Sequence, residues 1–495
     1  MSGSKMTTSR VTLSVWDSTI LLSGLGCVLG GLLTVTFLRP ELDTYFLCFA
    51  GLTAIIAMPL VIGCVTRRMD PFDPTTIIAA SYFLYFVFAP MRGLLAGEYY
   101  FFGRLVMPTF PLASAYLACG VAAMWAGYFA SGIARRGAAV LPEPPGSRRG
   151  VIAFASVVAL LALVAVTTYA HGAGLSWTRL LTLGQLGSTT TTSQTGVPDS
   201  ENVFRNYLYG TLDWLTSAWM LFYAFSRRGR KWLVVAFIAL LLVYTTIGFR
   251  FRILILVLAP IVYHYLRVKR RPGALKVFAA AFAVILLIGA IGLTRTAFRS
   301  SSSVDIGAVS VGSSSESFEG DLSIYQPFLA IIQSFPREHD YLWGSSYAYL
   351  LVQPIPRSLW SDKPEAPIRA VVQATLGSDA ATSGVAYPNV GEFYANFGAV
   401  GLIAGMWVFG LLARISYEYL SRHENNDWAR VLYAVIFPFL VQVISRGYFV
   451  QIFQEASFLF VPLFLGMWVC RHSSYGNQSD MERGSSILKA MERGL

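Results

Sequence analysis

Six arginines stand beside or inside apolar stretches of this chain, where a permanent positive charge is costly. Arg250 and Arg252 interrupt "YTTIGFRFRILILVLAP", within an apolar run from Trp232 to Leu266. Arg295 and Arg299 lie in "LTRTAFRS", Arg357 in "QPIPRSLWSDKP" and Arg446 in "VISRGYF". An arginine at the centre of a bilayer costs about 3 kcal/mol or more, so such residues face a protein interior or a watery cavity and tend to mark function. Guanidinium groups bind phosphate oxygens through two parallel hydrogen bonds and keep their charge at every relevant pH. Gathered at one membrane surface, they point to a diphosphate-bearing ligand, with Lys363 adding a point charge six residues beyond Arg357. The competing reading is that each reaches up to a lipid phosphate. It is weakest for Arg250 and Arg252, which a tight turn would leave little choice of neighbour.

Two carboxylates could work beside them. Glu392, in "YPNVGEFYANFG", sits just before an apolar span and could orient or deprotonate a hydroxyl, with Tyr387, Asn389, Tyr394 and Asn396 as hydrogen-bonding neighbours. It could equally pair with an arginine as structure. Asp213, in "YGTLDWLTSAW", is read as the counter-ion of an arginine. His339, in "FPREHDYLW", offers a base or a surface turn residue. Asp70 and Asp73 of "MDPFDP" fit two Asp-Pro turns at a helix entrance better than a metal site. No phosphate-binding glycine loop, dinucleotide fingerprint, HExxH or strand-turn-helix GxSxG is found, so nothing predicts a nucleotide, a metal or another cofactor. The five cysteines lie in or beside apolar runs, without the spacing of a zinc site or a disulfide framework.

The elements that must position these groups are membrane spans. Of 495 residues, 55% are hydrophobic and 13% charged, and mean hydropathy is +0.55, far from the roughly 25% charge of a soluble domain. About twelve runs approach the ~20 residues a span needs: 18–38, 45–65, 75–91, 109–133, 151–170, 203–225, 232–248, 251–266, 274–294, 398–414, 429–445 and 455–470. The polar start "MSGSKMTTSRVTLSVWDST" reads as a retained tail rather than a signal peptide. The basic patches at 66–70, 134–150, 226–231 and 267–271 fall on one side, which makes that side cytoplasmic and, with an even span count, returns both termini to it. The net charge of +11 is then orientation charge rather than a nucleic-acid footprint.

The run 232–266 is too long for one span, and Gly248 predicts a tight outer turn that puts Arg250 and Arg252 at the start of a descending helix. The chain divides into a first bundle of about nine spans (1–294), a large outer loop (295–397), three last spans (398–470) and a tail (471–495). Within the loop, "DLSIYQPFLAIIQSF" and "APIRAVVQATLG" carry helix signals and read as short interfacial or re-entrant helices. Tyr325, Tyr341, Trp343, Tyr347, Tyr349 and Trp360 would stack on sugar faces or pack the loop onto the bilayer.

The arginine-bearing turn "GFRFR", the late outer loop with "PIPRSLWSDKP" and the pre-span "NVGEFYANFG" together resemble the Wzy-type oligosaccharide repeat unit polymerases of bacterial envelopes. The architectural likeness covers nearly the whole chain and the motifs only short pieces of it. The resemblance implies a GT-C-like, all-α polytopic glycosyltransferase of the inner membrane. Such an enzyme moves a glycan from undecaprenyl diphosphate to a sugar hydroxyl of another lipid-linked unit on the periplasmic face. A further protein would set chain length. Arg250, Arg252 and Arg357 take the family's arginine roles, with Arg446 as an extension; Arg295 as a further phosphate contact, and Glu392 as candidate base beside Tyr394 and Asn396, rest on position and chemistry alone. Two rivals stand beside this: an O-antigen ligase, for which His339 would be the discriminating residue, and a lipid or sugar flippase or transporter.

Overall fold

The computed structural model describes residues 15–38, 42–66, 70–145, 148, 150–172, 210–226, 229–247, 250–268, 322–355, 359–364, 366–377 and 387–492. Within them the regular elements are helices apart from one short two-stranded hairpin. The helices are α1 (Val15–Leu38), α2 (Asp43–Val65), α3 (Pro74–Phe83), α4 (Ala89–Leu95), α5 (Phe110–Phe129), α6 (Ser131–Val140), α7 (Val151–Gly172) and α8 (Leu212–Phe225). They continue with α9 (Arg230–Ile247), α10 (Arg250–Val268), α11 (Tyr325–Ser334), α12 (Ser345–Val352), α13 (Pro367–Leu376), α14 (Asn389–Arg422), α15 (Asp427–Ser445) and α16 (Phe449–Glu492).

Eight stretches among the described residues are long and apolar enough to cross a membrane: α2, α3 with α4, α5, α7, α10, α14, α15 and the first half of α16. The chain is a multi-pass membrane protein. Shorter apolar helices occur at Leu22–Leu32 and Lys231–Tyr244. The span expected at 203–225 is represented by the fourteen residues of α8, and that expected at 274–294 lies outside the described residues. The last span starts at Phe449 rather than 455, because Gln451, Gln454 and Glu455 are accommodated inside the helix.

Local chemistry explains the irregular points. Asp73 caps α3 by accepting from the Thr75 amide at 2.9 Å, with Pro74 in the first turn where its missing N–H costs nothing. Asp70 accepts from the Phe72 amide at 3.0 Å, so both aspartates of "MDPFDP" brace the turn, and they also accept from the Tyr417 and Tyr128 hydroxyls at 3.0 and 2.6 Å. The junction of α3 and α4 is a π-helical turn, Leu84–Phe88, just before Pro90, whose ring cannot tolerate a normal turn beneath it. Helices α5 and α14 cross closely because glycines face each other. A Cβ on Gly127 would lie 2.0 Å from the Trp407 carbonyl oxygen, and one on Gly410 would lie 1.9 Å from that of Met124.

The break in α14 matters most for the site. Phe397 and Gly398 leave helical geometry, and Gly398 has φ +62° and ψ −147°, a conformation essentially confined to glycine. A Cβ there would also meet the Tyr341 ring at 2.8 Å. The break separates a short buried helix, 389–396, from the long membrane helix beyond it.

Loop helix α11, expected at an interface or re-entrant, is buried along nine of its ten residues and packs against α5, α13 and α14 in the bundle core. Its run Phe328, Leu329, Ala330, Ile331, Ile332 is apolar on every side, which suits burial rather than one-sided contact. The hairpin, β1 (Tyr100–Phe101) and β2 (Arg104–Leu105), turns at Phe102 and Gly103, both with positive φ. It delivers Arg104 to Gln333 (2.8 Å), the Thr375 carbonyl (2.9 Å) and Glu338 (2.6 Å), tying the hairpin to the loop helices.

Candidate functional site

Polar groups collect at the end of the bundle where α8, α10, the short helix 389–396 and α16 begin and where α15 finishes. The opposite end holds the basic residues: Arg135, whose carbonyl accepts from Arg422, Arg148 paired with Asp427, and Arg267 in the last turn of α10.

Glu392 is fully buried at this end. Its Oε1 accepts from the Ser346 hydroxyl at 2.7 Å and its Oε2 from the Phe449 amide at 2.6 Å, the free first N–H of α16. Asn396 closes the knot: its Nδ2 donates to Ser346 Oγ (2.8 Å) and the Glu392 carbonyl (2.9 Å), and its Oδ1 accepts from the Gly344 amide (3.1 Å). Two further backbone bonds, Leu342 to Ala395 and Trp343 to Asn396, join the loop to the short helix. One carboxylate thereby holds three segments together: the start of α12, helix 389–396 and the start of α16. The Tyr347 phenol beside it is held above its ordinary pKa by burial, reinforced by the Glu392 charge.

Close backbone approach makes the knot possible. The Gly447 amide donates to the Tyr387 carbonyl at 2.8 Å, and a Cβ on Gly447 would lie 2.1 Å from the Asn389 backbone. Asn389 itself turns away, accepting from the Tyr82 hydroxyl at 3.0 Å. The Tyr394 hydroxyl reaches the Phe335 carbonyl at 3.5 Å, with the ring against Tyr116 and Tyr341.

The second cluster is built on arginine. Arg252 and Asp213, 5% and 7% exposed, form a two-pronged pair, Nε to Oδ1 at 2.9 Å and Nη2 to Oδ2 at 3.2 Å. Asp213 is thus the arginine counter-ion read from the sequence. Tyr244 braces the turn before it, donating to the Leu212 carbonyl at 2.8 Å and sharing a hydrogen bond with Thr216. Arg446, at the C-terminal end of α15, lies over the Phe251 ring with its Cζ 6.0 Å from the centroid, while Arg252 Cζ lies 5.7 Å from the same centroid. Two guanidinium groups therefore flank one ring.

Glu455 of α16 has Arg252, Arg446 and Asp213 as charged neighbours. Its Oε1 accepts from Gln451 at 3.0 Å, one turn earlier; its Oε2 is shielded from solvent and has no hydrogen-bond partner among the described residues.

Lys363 is buried, donates to the Gln353 and Ile355 carbonyls at 2.8 and 2.9 Å and covers the Tyr349 ring, capping the end of α12. His339 packs on Phe335. Beside it Glu338 is held below the usual carboxylate range, first by its hydrogen bond from Arg104. Of the loop aromatics, Tyr325 is 2% exposed and locked in the core, whereas Trp343 is 72% exposed. Trp343, Phe397, Tyr347, Phe449 and Phe453 form a chain of ring contacts along the rim of the knot. Arg295, Arg299 and Arg357 lie outside the described residues, and of Arg250 only its place as first residue of α10 is described.

Sequence reasoning missed Ser346, Glu455 and Gly447. Ser346 is one serine among many. Run length puts Glu455 at a span boundary, although Gln451 and Glu455, four apart in an apolar run, are a readable sign of an inward polar stripe.

The family model described as "O-antigen polysaccharide polymerase Wzy" matches residues 199–477, more than half of the chain. The chain belongs to this family. The matched region contains Asp213, Arg252, Glu392, Arg446 and Glu455, and so both clusters of the site, while α1 to α7 precede it. The chain matches no curated protein and no solved structure.

Proposed function

We propose that this Wzy-family protein joins undecaprenyl-diphosphate-linked oligosaccharide repeat units into O-antigen or a related surface polysaccharide. In this reading it is a GT-C-like glycosyltransferase of the bacterial inner membrane, with both termini cytoplasmic and the site at the periplasmic face. The donor glycan leaves its lipid diphosphate as the anomeric carbon is attacked by a hydroxyl of another lipid-linked unit, and the main demand on the protein is to stabilise the diphosphate as it departs. A separate protein that limits chain length fits the same reading.

The observation that carries it is the pair of guanidinium groups, Arg252 and Arg446, around Phe251 at the bundle end remote from the basic loops. Arg250 adds the start of α10, whose free N–H groups also favour an anion. Arg295 and Arg357 supply further positive charge. Glu392 and Asn396, with Tyr394 and Lys363 behind them, shape the loop that receives the sugars. Lys363 acts through the carbonyls it caps, and the exposed Trp343 offers a stacking face.

Purified protein in lipid nanodiscs, given a lipid-linked repeat unit, should produce a ladder of lengthening glycans; a ladder-free reaction with folded protein removes the polymerase reading. Arg446→Ala should leave the fold intact and weaken donor binding about 10- to 100-fold, the loss of about 1.5–3 kcal/mol of charged hydrogen bonding. Unchanged binding takes Arg446 out of the clamp.

A further inference from the structure

We propose that Glu455 is the general base that activates the acceptor hydroxyl. The inference rests on the polymerase reading and names a residue within its site.

The two clusters hold three carboxylates, and they differ in what remains unsatisfied among the described residues. Asp213 accepts a hydrogen bond from Arg252 Nη2 on Oδ2 and holds Oδ1 in the ion pair with Arg252 Nε. Glu392 spends one oxygen on the Ser346 hydroxyl and the other on the Phe449 amide. Glu455 spends Oε1 on Gln451 and leaves Oε2 shielded from solvent with no hydrogen-bond donor among the described residues. A shielded carboxylate oxygen without a donor costs about 1–3 kcal/mol or more, so its retention calls for a compensating partner. A substrate hydroxyl is a donor of the right kind. The contact from Gln451, one turn earlier on the same helix face, fixes the carboxylate so that Oε2 keeps its direction.

The neighbours make that hydroxyl the reacting one. Glu455 shares its charged surroundings with Arg252 and Arg446, the two groups around Phe251 assigned to the diphosphate. A hydroxyl hydrogen-bonded to Oε2 then lies next to the anomeric carbon that the diphosphate is about to leave. The acceptor oxygen forms its bond to the anomeric carbon. The bond from that carbon to the diphosphate oxygen breaks, and the electron pair departs with the lipid diphosphate. The hydroxyl proton passes to Glu455. Charge balances, since the diphosphate gains the negative charge that Glu455 loses.

The test compares wild type with Glu455→Gln and Glu455→Asp in nanodiscs, measuring ladder formation and, separately, binding of the lipid-linked donor. Glu455→Gln keeps the shape and the Gln451 contact but cannot accept a proton. It should slow polymerisation about 100-fold or more while changing donor binding less than about threefold. Glu455→Asp should recover part of the rate. A Gln variant within about threefold of wild type overturns the proposal, as does one whose main change is tighter donor binding, which would make Glu455 only a counter-charge to the arginines. If the Gln variant does not fold, the wild-type pH profile decides. Because the base must be unprotonated, the rate should fall as pH drops with a single ionisation that moves in Glu455→Asp, and a rate independent of pH down to unfolding overturns the assignment. A wild type that makes no ladder defeats the polymerase reading, whereas a wild type and a Gln variant that make ladders at rates within about threefold of each other defeat Glu455 alone.

Discussion

The Glu392 knot and the arginine cluster lie at the same end of the bundle and treat charge in opposite ways. In the knot a single buried carboxylate has a donor on each oxygen, and the amide that satisfies its helper serine belongs to the same short helix. In the cluster two arginines crowd one aromatic ring, one of them has its own carboxylate, and a second carboxylate keeps an oxygen without a donor among the described residues. A complete hydrogen-bond set rigidifies, and an incomplete one leaves capacity for a ligand. The comparison assigns architecture to the first region and chemistry to the second.

The most severe way to test that division is to remove Arg252. Arg252→Ala leaves Asp213 charged, buried and alone, which should cost about 3–5 kcal/mol and show as a large fall in melting temperature or in recovered protein. Replacing both partners, Arg252→Met with Asp213→Leu, should regain most of that stability and still fail to polymerise. Polymerisation at the wild-type rate by the double variant would make the pair purely structural. Next in size, Glu392→Ala strands the Ser346 hydroxyl and the Phe449 amide and should cost about 2–3 kcal/mol, read by thermal unfolding. An unchanged melting temperature with lost activity would move Glu392 from architecture to chemistry and break the comparison.

The smallest effect belongs to the rim, where Arg104 and Glu338 form a pair with Glu338 48% exposed. The lowered pKa of Glu338 means that its contribution is present above the ordinary glutamate value of about 4.3 and is lost as pH falls through the folded-state value. Glu338→Gln should therefore cost less than about 1 kcal/mol at pH 7 and nothing in strong acid, measured by unfolding across that range. A larger loss would mean that the hairpin of β1 and β2 is part of the site rather than its edge.

Much of this arrangement was readable from residue order. Spans follow from runs of apolar residues, and the position of "FRFR" at the start of α10 followed from run length and Gly248, though residues 248 and 249 lie outside the described structure. Asp213 as an arginine's counter-ion was legible because a carboxylate inside a span needs one. The burial of α11 was not, since an apolar helix in a loop is equally at home on a bilayer surface or in a core, and only the space between α5 and α14 decides. Glu455 was hidden by a boundary placed six residues late.

Composition and periodicity alone determined that this chain lives in a membrane, that it is helical, and that arginines would stand at helix ends, because those outcomes depend on neighbours in sequence and on the bilayer as solvent. Tertiary structure decided which carboxylate is satisfied and which is spare. The donors to Glu392 come from residues 46 and 57 positions away, and Arg252 finds Asp213 across 39. Hydrogen-bond capacity is used up by whatever the fold brings within about 3 Å, and the linear order of residues does not contain that distance.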